Sequence, residues 1–357
     1  MTNSPVAETH LRMLDVGFMP LLDAAPLVVA VRLGMDRLQG LHIRLHRQAS
    51  WAAVRDRLLS GELDAAHAMS AMVLAVQSGI GGPRADLAIL SGLNRNGQAI
   101  VLSGVLADAL ERATDAGQSF HAVLRALPRR PVFAQTFPTG THALWLYRWL
   151  ALQGVEPMRD IEAVSLPPSA MPQALADGLL DGFCAGEPWG EQVEALGIGR
   201  RVARTGQLWP GHPEKVLACR RDFAELEPEV VVALTAAVLD ACRWLDADPA
   251  HRLQAAEWLS APDCIGLPAA RLAACLLPRE GDPPEQCLQF HAGGSANLPS
   301  VADGHWFLGQ FRRWGWLPPA ASIEDDAWLA EVYRLEGWLQ AAGSLGIVLP
   351  AENAGEA

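Results

Sequence analysis

The first seventy residues alternate between short apolar runs and longer segments whose apolar positions recur at helical spacing. Such a pattern indicates strands separated by amphipathic helices. The predicted elements are a strand over 13–19, a helix over 26–40 that ends at Gly40, a strand over 41–49, a helix between the cap Ser50 and the terminator Gly61, and a strand over 63–67. Strands and helices in this order predict right-handed parallel βαβ units.

The same arrangement begins again in the middle of the chain. Residues 130–138 predict a strand, 141–154 an amphipathic helix and 161–167 another strand. The segments SGELDAAHAMSAM and ADGLLDGFCAGEP also share a helix end, a glycine turn and a hydrophobic strand with polar groups at its tip. This internal repeat predicts two similar lobes.

After residue 213 the pattern becomes mostly helical, and it ends with an apparent helix over 325–343. This order predicts an α/β protein in which lobe II, 101–212, is inserted into a discontinuous lobe I formed by 1–100 and 213–357. In open α/β sheets a ligand binds where the carboxyl ends of the strands meet, so the cleft between the lobes is the expected site.

Composition argues against two classes of partner. The chain has 28 basic and 40 acidic residues, a formal net charge of -12. A nucleic-acid or anionic membrane surface needs clustered Lys and Arg, which this balance disfavours. A small anion must therefore be captured locally, by a few donors.

Cysteine usage and hydropathy bear on the compartment. The six cysteines show no CxxC pair and no Cys/His metal spacing, so they are expected to be reduced thiols of a cytosolic protein, with a disulfide framework as the alternative. The first twenty residues lack the pattern of a secretory signal, and no apolar run approaches the ~18 residues that span a bilayer. The sequence predicts a cytoplasmic protein without a membrane span.

Two candidate ligand residues belong to the first lobe and its exit. Trp51 begins a helix, and a helix N-terminus offers free N–H groups to an anion. Gln98 follows an Asn96-Gly97 turn and brings an amide donor onto a strand. The alternatives are a core tryptophan and an ordinary turn with exposed amides.

A second group of candidates follows the turn Pro138-Thr139-Gly140. Thr141 is expected to cap the next helix, and His142 then lies in its first turn, where an imidazole can donate to an anion. The alternative for His142 is a purely structural role.

A third group lies at the end of a buried strand, in the run Cys184-Ala-Gly-Glu187-Pro188. Cys184 paired with His142 would suggest a nucleophile, but no strand-to-helix elbow or oxyanion-hole loop accompanies it. Glu187 is expected to hold a cationic side chain, because a buried charge needs a partner.

Lys215 is the last candidate, a lone lysine among arginines at the point where the chain returns to the first lobe. Its compact ammonium suits a monovalent anion in a closed cleft, and a solvated surface lysine is the alternative. No Walker, GxGxxG, HExxH or EF-hand pattern is present. The sequence therefore predicts neither an enzyme, nor a cofactor, nor a metal.

Between about residues 14 and 320 the chain resembles the nitrate- and bicarbonate-binding family related to the cyanobacterial nitrate-transporter receptor. The resemblance rests on the ordered segments GFMPLLDAAPLVVA, QASWAAVRDRL, GELDAAHAMSAM, LNRNGQAI, FPTGTHALWLYRWL, DGFCAGEPW and HPEKVL, with RWGWL near the end. It implies a two-lobed, type II periplasmic-binding-protein fold. It also implies a ligand-binding set in which Trp51, Gln98, His142 and Lys215 contact the anion, with Gly140, Thr141, Glu187 and Pro188 as cleft-forming neighbours.

Without a signal or lipid-anchor cysteine, the chain looks like the NasS-type cytosolic nitrate/nitrite sensors of that family. The resemblance then implies a partner, a NasT-type RNA-binding antiterminator that the sensor holds until the anion binds. Two alternatives stay open. One is an ABC-transporter receptor for nitrate, bicarbonate or another small molecule, and the other is an enzyme of the same fold, such as one that makes a thiamine precursor.

Overall fold

The computed structural model describes residues 11–318 and 326–349, which contain two mixed five-stranded sheets. The predicted absence of a signal falls partly on residues 1–10, and the start of the last predicted helix falls on residue 325, both outside the described residues. The strands are β1 (Arg12–Phe18), β2 (Leu41–Arg47), β3 (Ala65–Met69), β4 (Leu87–Gly92), β5 (Gln98–Ser103), β6 (Val132–Gln135), β7 (Glu162–Ser165), β8 (Gly182–Gly186), β9 (Gly199–Arg204) and β10 (Lys215–Arg220).

Helices cover both sheets. They are α1 (Ala25–Arg32), α2 (Met35–Leu38), α3 (Trp51–Ser60), α4 (Ser70–Gln77), α5 (Gly104–Asp115), α6 (Phe120–Arg125), α7 (Thr141–Leu152), α8 (Pro157–Asp160), α9 (Met171–Ala176), α10 (Trp189–Ala195), α11 (Thr205–Leu208), α12 (Arg221–Leu226), α13 (Pro228–Ala247), α14 (Pro249–Leu259), α15 (Ala269–Leu276), α16 (Val301–Arg313), α17 (Asp326–Val332) and α18 (Leu335–Ser344). Short 3-10 turns lie at Leu22–Ala24, Pro168–Ala170, Pro284–Gln286 and Ala292–Gly294.

Each sheet forms one lobe. Lobe I has the strand order β2-β1-β3-β10-β4 and lobe II the order β7-β6-β8-β5-β9. The predicted parallel pairing holds for β1 with β2 and β3, while β10 runs antiparallel to β3 and β4. In lobe II, β5 likewise runs antiparallel to β8 and β9. The chain therefore enters lobe II through β5 and returns to lobe I through β10, and the expected two-lobed α/β fold is confirmed.

The two crossovers between the lobes lie side by side. Arg95, in the segment that leads into β5, forms an isolated antiparallel bridge with Pro213, in the segment that leads into β10. The backbone N–H of Asn96 donates to the carbonyl of His212 at 3.1 Å. Such paired short segments are the usual place for a hinge between two lobes.

Local signals fix the helix ends near the cleft. The Ser50 hydroxyl accepts from the backbone N–H of Ala53, as predicted, and Gly61 ends α3 in the left-handed conformation with φ 78°. The single helix predicted over 26–40 is wrong, because Gly34 adopts φ 69° and separates α1 from α2. Similarly, the last predicted helix is interrupted between α17 and α18.

Helix α16 and the residues that follow it bridge the lobes. Trp306, Trp314 and Trp316 are partly buried and pack against the cores of both lobes. No helix within 11–318 or 326–349 combines the length and hydropathy needed to cross a bilayer.

Candidate functional site

Lys215, the only lysine of the chain, is fully buried at the start of β10. Its Nζ donates to Oε1 of Glu214 at 2.6 Å and lies 3.0 Å from Oδ2 of Asp23. On its third side, Nζ faces Nε2 of His142 at 3.4 Å. Because Lys215 belongs to lobe I and His142 to lobe II, this contact crosses the seam between the lobes.

Glu214 is held by donors from lobe II as well as by Lys215. One carboxylate oxygen accepts from the Thr141 hydroxyl, and the other accepts from Nε1 of Trp145 at 2.9 Å. Both donors come from α7. Together with Lys215, these side chains give the buried carboxylate three donors, as a buried charged group requires.

The predicted capping role of Thr141 is wrong. Gly140 holds the N-cap position of α7 and makes no side-chain bond, and Thr141 is the first residue of the helix.

Asp23 faces the ammonium from the 3-10 turn that precedes α1. Burial alone would raise its pKa, but the charge of Lys215, helped by His67, outweighs burial and holds the pKa of Asp23 well below its usual range. Burial also tends to lower the pKa of Lys215, and the two carboxylates reverse that tendency, so its pKa is raised. The lysine is therefore an ammonium with two carboxylate partners.

His67, on β3, lies beside Asp23. Its Nδ1 accepts from the backbone N–H of Met19 at 3.3 Å, so the ring proton resides on Nε2, 2.9 Å from Oδ1 of Asp23. Burial lowers the pKa of His67, and Asp23 only partly offsets this effect. The ring is therefore neutral.

His142 is the imidazole that faces the lobe seam. Its Nδ1 lies 2.5 Å from the hydroxyl of Thr136, and its Nε2 points at Lys215. Burial, reinforced by the nearby ammonium, lowers the pKa of His142 to about 3. At neutral pH the ring is uncharged, and Nε2 is the acceptor for the ammonium.

Trp51 closes one side of this cluster. Its ring centre is 5.6 Å from Nζ of Lys215, 5.3 Å from the ring centre of His67 and 6.4 Å from that of His142. The indole is fully buried, and its Nε1 has no hydrogen-bond partner among the described residues. Trp51 thus presents a flat apolar face and an unused N–H donor.

Gln98 lies on the adjoining face of lobe II. It pairs directly with Gly186 in the antiparallel register, so the two positions share one face of the sheet. A Cβ on Gly186 would lie 3.4 Å from Oδ2 of Asp23, so this face meets the Lys215 cluster. Gln98 contacts Thr205 at 3.2 Å, and its buried Nε2 has no partner within 11–318 and 326–349.

Three predicted residues remain, Gly140, Glu187 and Pro188. Gly140 packs so closely on Met69 of lobe I that a Cβ there would lie 2.6 Å from its terminal methyl carbon. Glu187 does hold a cation, as expected, since its carboxylate lies 2.8 Å from the Nη1 atom of Arg201. Pro188 is the N-cap residue of α10. The structure therefore brings Trp51, Thr141, His142 and Lys215 together, with Gln98 adjacent and the carboxylate of Glu187 engaged elsewhere.

Sequence reasoning missed five residues of the cluster: Asp23, His67, Thr136, Trp145 and Glu214. Asp23 carried a signal, a lone carboxylate inside the otherwise apolar run MPLLDAAPLVVAV. Glu214 stands directly before the predicted lysine. The other three are ordinary residues of a strand, a loop and a helix, and only the fold assembles them.

The arrangement offers no activated nucleophile. Cys184 is fully buried on β8, and burial raises the pKa of its thiol well above the usual value. In the described part of the chain, no three His, Cys, Asp or Glu side chains converge in a way that would hold a metal ion. What the cluster provides at the lobe seam is one cation with two carboxylate partners, two neutral imidazoles and two unused N–H donors.

Comparison with known proteins agrees with this picture. The NMT1-like family profile matches residues 7–260. The nitrate/nitrite binding protein NrtA of Synechocystis sp. is 33% identical over 323 residues, which make up 87% of this chain and 72% of that protein. The bicarbonate transport ATP-binding protein CmpC of Synechococcus elongatus is 33% identical over 85% of this chain, which spans about half of that relative (46%).

A solved structure extends the match to three dimensions. The crystal structure of the periplasmic nitrate-binding protein NrtA from Synechocystis aligns with a TM-score of 0.85 and 30% identity, over 96% of this chain and 90% of that chain. The match covers both lobes and the seam between them.

Proposed function

This chain belongs to the NMT1-like family, and we propose that it binds nitrate or nitrite between its two lobes. The observation that carries the proposal is the fully buried contact between Lys215 of lobe I and His142 of lobe II. The similarity to NrtA, named a nitrate/nitrite binding protein, supports the choice of anion.

In the proposed complex the anion lies between Nζ of Lys215 and Nε2 of His142. The ammonium has three N–H donors, and two of them remain on Asp23 and Glu214. The third, now directed at His142, turns to the anion. Charge-assisted hydrogen bonds of this kind contribute roughly 1.5–3 kcal/mol each, which helps to offset the cost of removing the anion from water.

Trp51 and Gln98 complete the proposed site. A planar anion matches the flat indole face of Trp51, and the unused Nε1 and Nε2 donors of the two side chains match the oxygen atoms. Thr141 acts indirectly, because its hydroxyl fixes the carboxylate of Glu214 beside the ammonium. Gly140 allows the lobes to approach each other without a side chain at the seam.

Binding at such a seam favours closure of the lobes. The anion contacts groups from both lobes only when they are close, so its affinity for the closed form is higher. Closure also alters the outer surface, where Arg204 of β9 pairs with Asp282 of the segment after α15. A second contact, in the interior, is the stack of the partly buried Trp306 on the fully buried Trp145, with ring centres 5.1 Å apart.

We further propose that the protein is a cytosolic sensor that holds a NasT-type RNA-binding antiterminator and releases it when the anion binds. All six cysteines lie in the described part of the chain and are free thiols, as is usual in a reducing compartment. The surface around the Arg204–Asp282 ion pair supplies a region whose shape depends on closure.

The second candidate is a substrate-binding receptor of an ABC transporter for nitrate or bicarbonate. The similarity to the periplasmic NrtA and to CmpC favours it. Both candidates use the same anion site. They differ in the partner that recognises the closed form, which is an RNA-binding antiterminator for the sensor and an ABC transporter for the receptor.

Isothermal titration calorimetry with nitrate, nitrite, bicarbonate and chloride tests the anion site. We expect micromolar affinity for nitrate or nitrite, and loss of binding in Lys215→Met and His142→Ala. The control Arg37→Met removes a cation from the exposed face of α2 and should bind as the wild type does. Unchanged affinity in both site variants contradicts the proposed site.

Size-exclusion chromatography distinguishes the sensor from the receptor. A purified NasT-type antiterminator is mixed with this protein, without anion and with a saturating concentration of nitrate. A complex that dissociates when nitrate is added supports the sensor. If no complex forms under either condition, the receptor function is favoured.

A further inference from the structure

The charges around the site do not suit an anion by themselves. Lys215 is the only cation of the cluster, and it is accompanied by the carboxylates of Asp23 and Glu214. His67 and His142 face this group as neutral imidazoles. The buried cluster therefore carries one net negative charge, and an added anion would double it in a region shielded from water, which is strongly unfavourable.

A proton taken up with the anion removes this excess, and the hydrogen bonds show where it can go. His67 has no free position, since its Nδ1 accepts from the Met19 backbone and its Nε2 already bears the ring proton. Protonation would set an N–H against the Met19 N–H. His67 therefore stays neutral.

His142 has the free position. Its Nδ1 can donate to the hydroxyl oxygen of Thr136, and its Nε2 bears only a lone pair, directed at Lys215. The groups that face this ring are Lys215 from β10, Glu214 directly before that strand, Asp23 from the turn before α1, His67 from β3 and Trp51 from α3. Once an anion separates Nε2 from the ammonium, a proton on Nε2 becomes a second donor to the anion.

We propose that the site takes up one proton with each singly charged anion, on Nε2 of His142, and that Asp23 and Glu214 are specificity-determining residues that exclude doubly charged anions. The proton comes from the solvent, binds to the Nε2 lone pair and breaks no other bond. The inference rests on the proposed anion site and adds its selection rule. A sulfate or hydrogenphosphate ion would need a second proton, for which the cluster has no acceptor other than the carboxylates themselves.

The proposed proton uptake makes the affinity depend on pH. In the empty site the pKa of His142 is about 3, so the ring is neutral throughout the neutral range. The bound anion opposes the effect of the ammonium and raises this pKa. Between the two pKa values each bound anion brings one proton, and the affinity therefore falls about tenfold for each unit of rising pH.

Calorimetry of the wild-type protein with nitrate in buffers of different ionisation enthalpy, at pH 7, measures this proton directly. We expect the binding enthalpy to change linearly with the buffer enthalpy, with a slope of about one proton per anion. Sulfate should give no heat of binding. A slope of zero with clear nitrate binding overturns the inference and leaves the proposed function intact, whereas absence of both nitrate and nitrite binding at any pH overturns the proposed function.

Two variants separate proton uptake from mere structural support. His142→Gln keeps a neutral donor but has no basic nitrogen, so we expect weaker binding with a slope near zero and an affinity that no longer depends on pH. Asp23→Asn removes one negative charge, so nitrate should bind with little proton uptake and sulfate should become a ligand. Proton uptake that persists at one per anion in His142→Gln, measured on a variant that still binds nitrate, contradicts the assignment to this ring.

Discussion

Replacement of Lys215 by methionine tests the charge balance of the buried cluster in a single step. Methionine has nearly the length of lysine but no charge, so Asp23 and Glu214 would face each other without a cation. Breaking a buried ion pair from one side costs about 3–5 kcal/mol. Because two carboxylates depend on this ammonium, we expect a loss near the upper end of that range.

The same substitution should reverse the dependence of stability on pH. In the wild type the pKa of Asp23 is lowered on folding, so its contribution is present above the unfolded pKa and is lost as the pH falls through the folded one. Without the ammonium, burial raises the pKa of Asp23 above its unfolded value. Lys215→Met should then be most stable at acidic pH and lose stability as the pH rises through the new pKa.

Urea unfolding followed by tryptophan fluorescence at pH 5.5 and pH 8 measures both effects. The control Arg37→Met should stay within about 0.5 kcal/mol of the wild type at both pH values. Adding Asp23→Asn to Lys215→Met should recover part of the lost stability at pH 8. A free energy of unfolding within about 1 kcal/mol of the wild type at pH 8 would refute the reasoning, since it would mean that the carboxylates do not need the ammonium.

Three further substitutions test single contacts. Gly140→Ala places a Cβ against Met69 across the seam, so nitrate affinity should fall severalfold in calorimetry while the unfolding midpoint changes little, and the additional change Met69→Ala should restore it. Trp145→Phe removes the donor to Glu214 and should lower the free energy of unfolding by about 1.5–3 kcal/mol, and a change below about 0.5 kcal/mol would speak against that bond. Ser50→Ala removes the cap of α3 and should cost about 1 kcal/mol in urea unfolding, whereas Ser50→Gly should cost only a few tenths.

Much of the framework could be predicted because it depends on local signals. The spacing of the apolar residues predicted the positions of β1, β2 and α7. The two ends of α3 were predicted from single residues, the cap Ser50 and the terminating Gly61. The turn at Asn96, which has a φ of 61°, was likewise predicted from the Asn-Gly pair that it forms with Gly97. Such features need only a few residues of context.

The charge cluster could not be predicted in this way. Asp23 and Lys215 lie in distant parts of the sequence, and they meet because β10 enters the first sheet antiparallel, between β3 and β4. This strand went unnoticed, because its six residues lack a clear alternation of polar and apolar positions. Lys215 was therefore predicted to pair with an anion alone, whereas in the fold it is already paired with the carboxylates of Asp23 and Glu214.

The burial of the single lysine has a consequence for chemical modification of the protein. Reagents that acylate primary amines find no lysine side chain on the surface of the folded molecule, because all other cationic side chains, apart from histidine, are arginines. Acylation of Lys215 requires the two lobes to separate, so the rate of acylation reports how often the cleft opens. A bound anion should slow the acylation of Lys215, and the effect can be followed without an engineered probe.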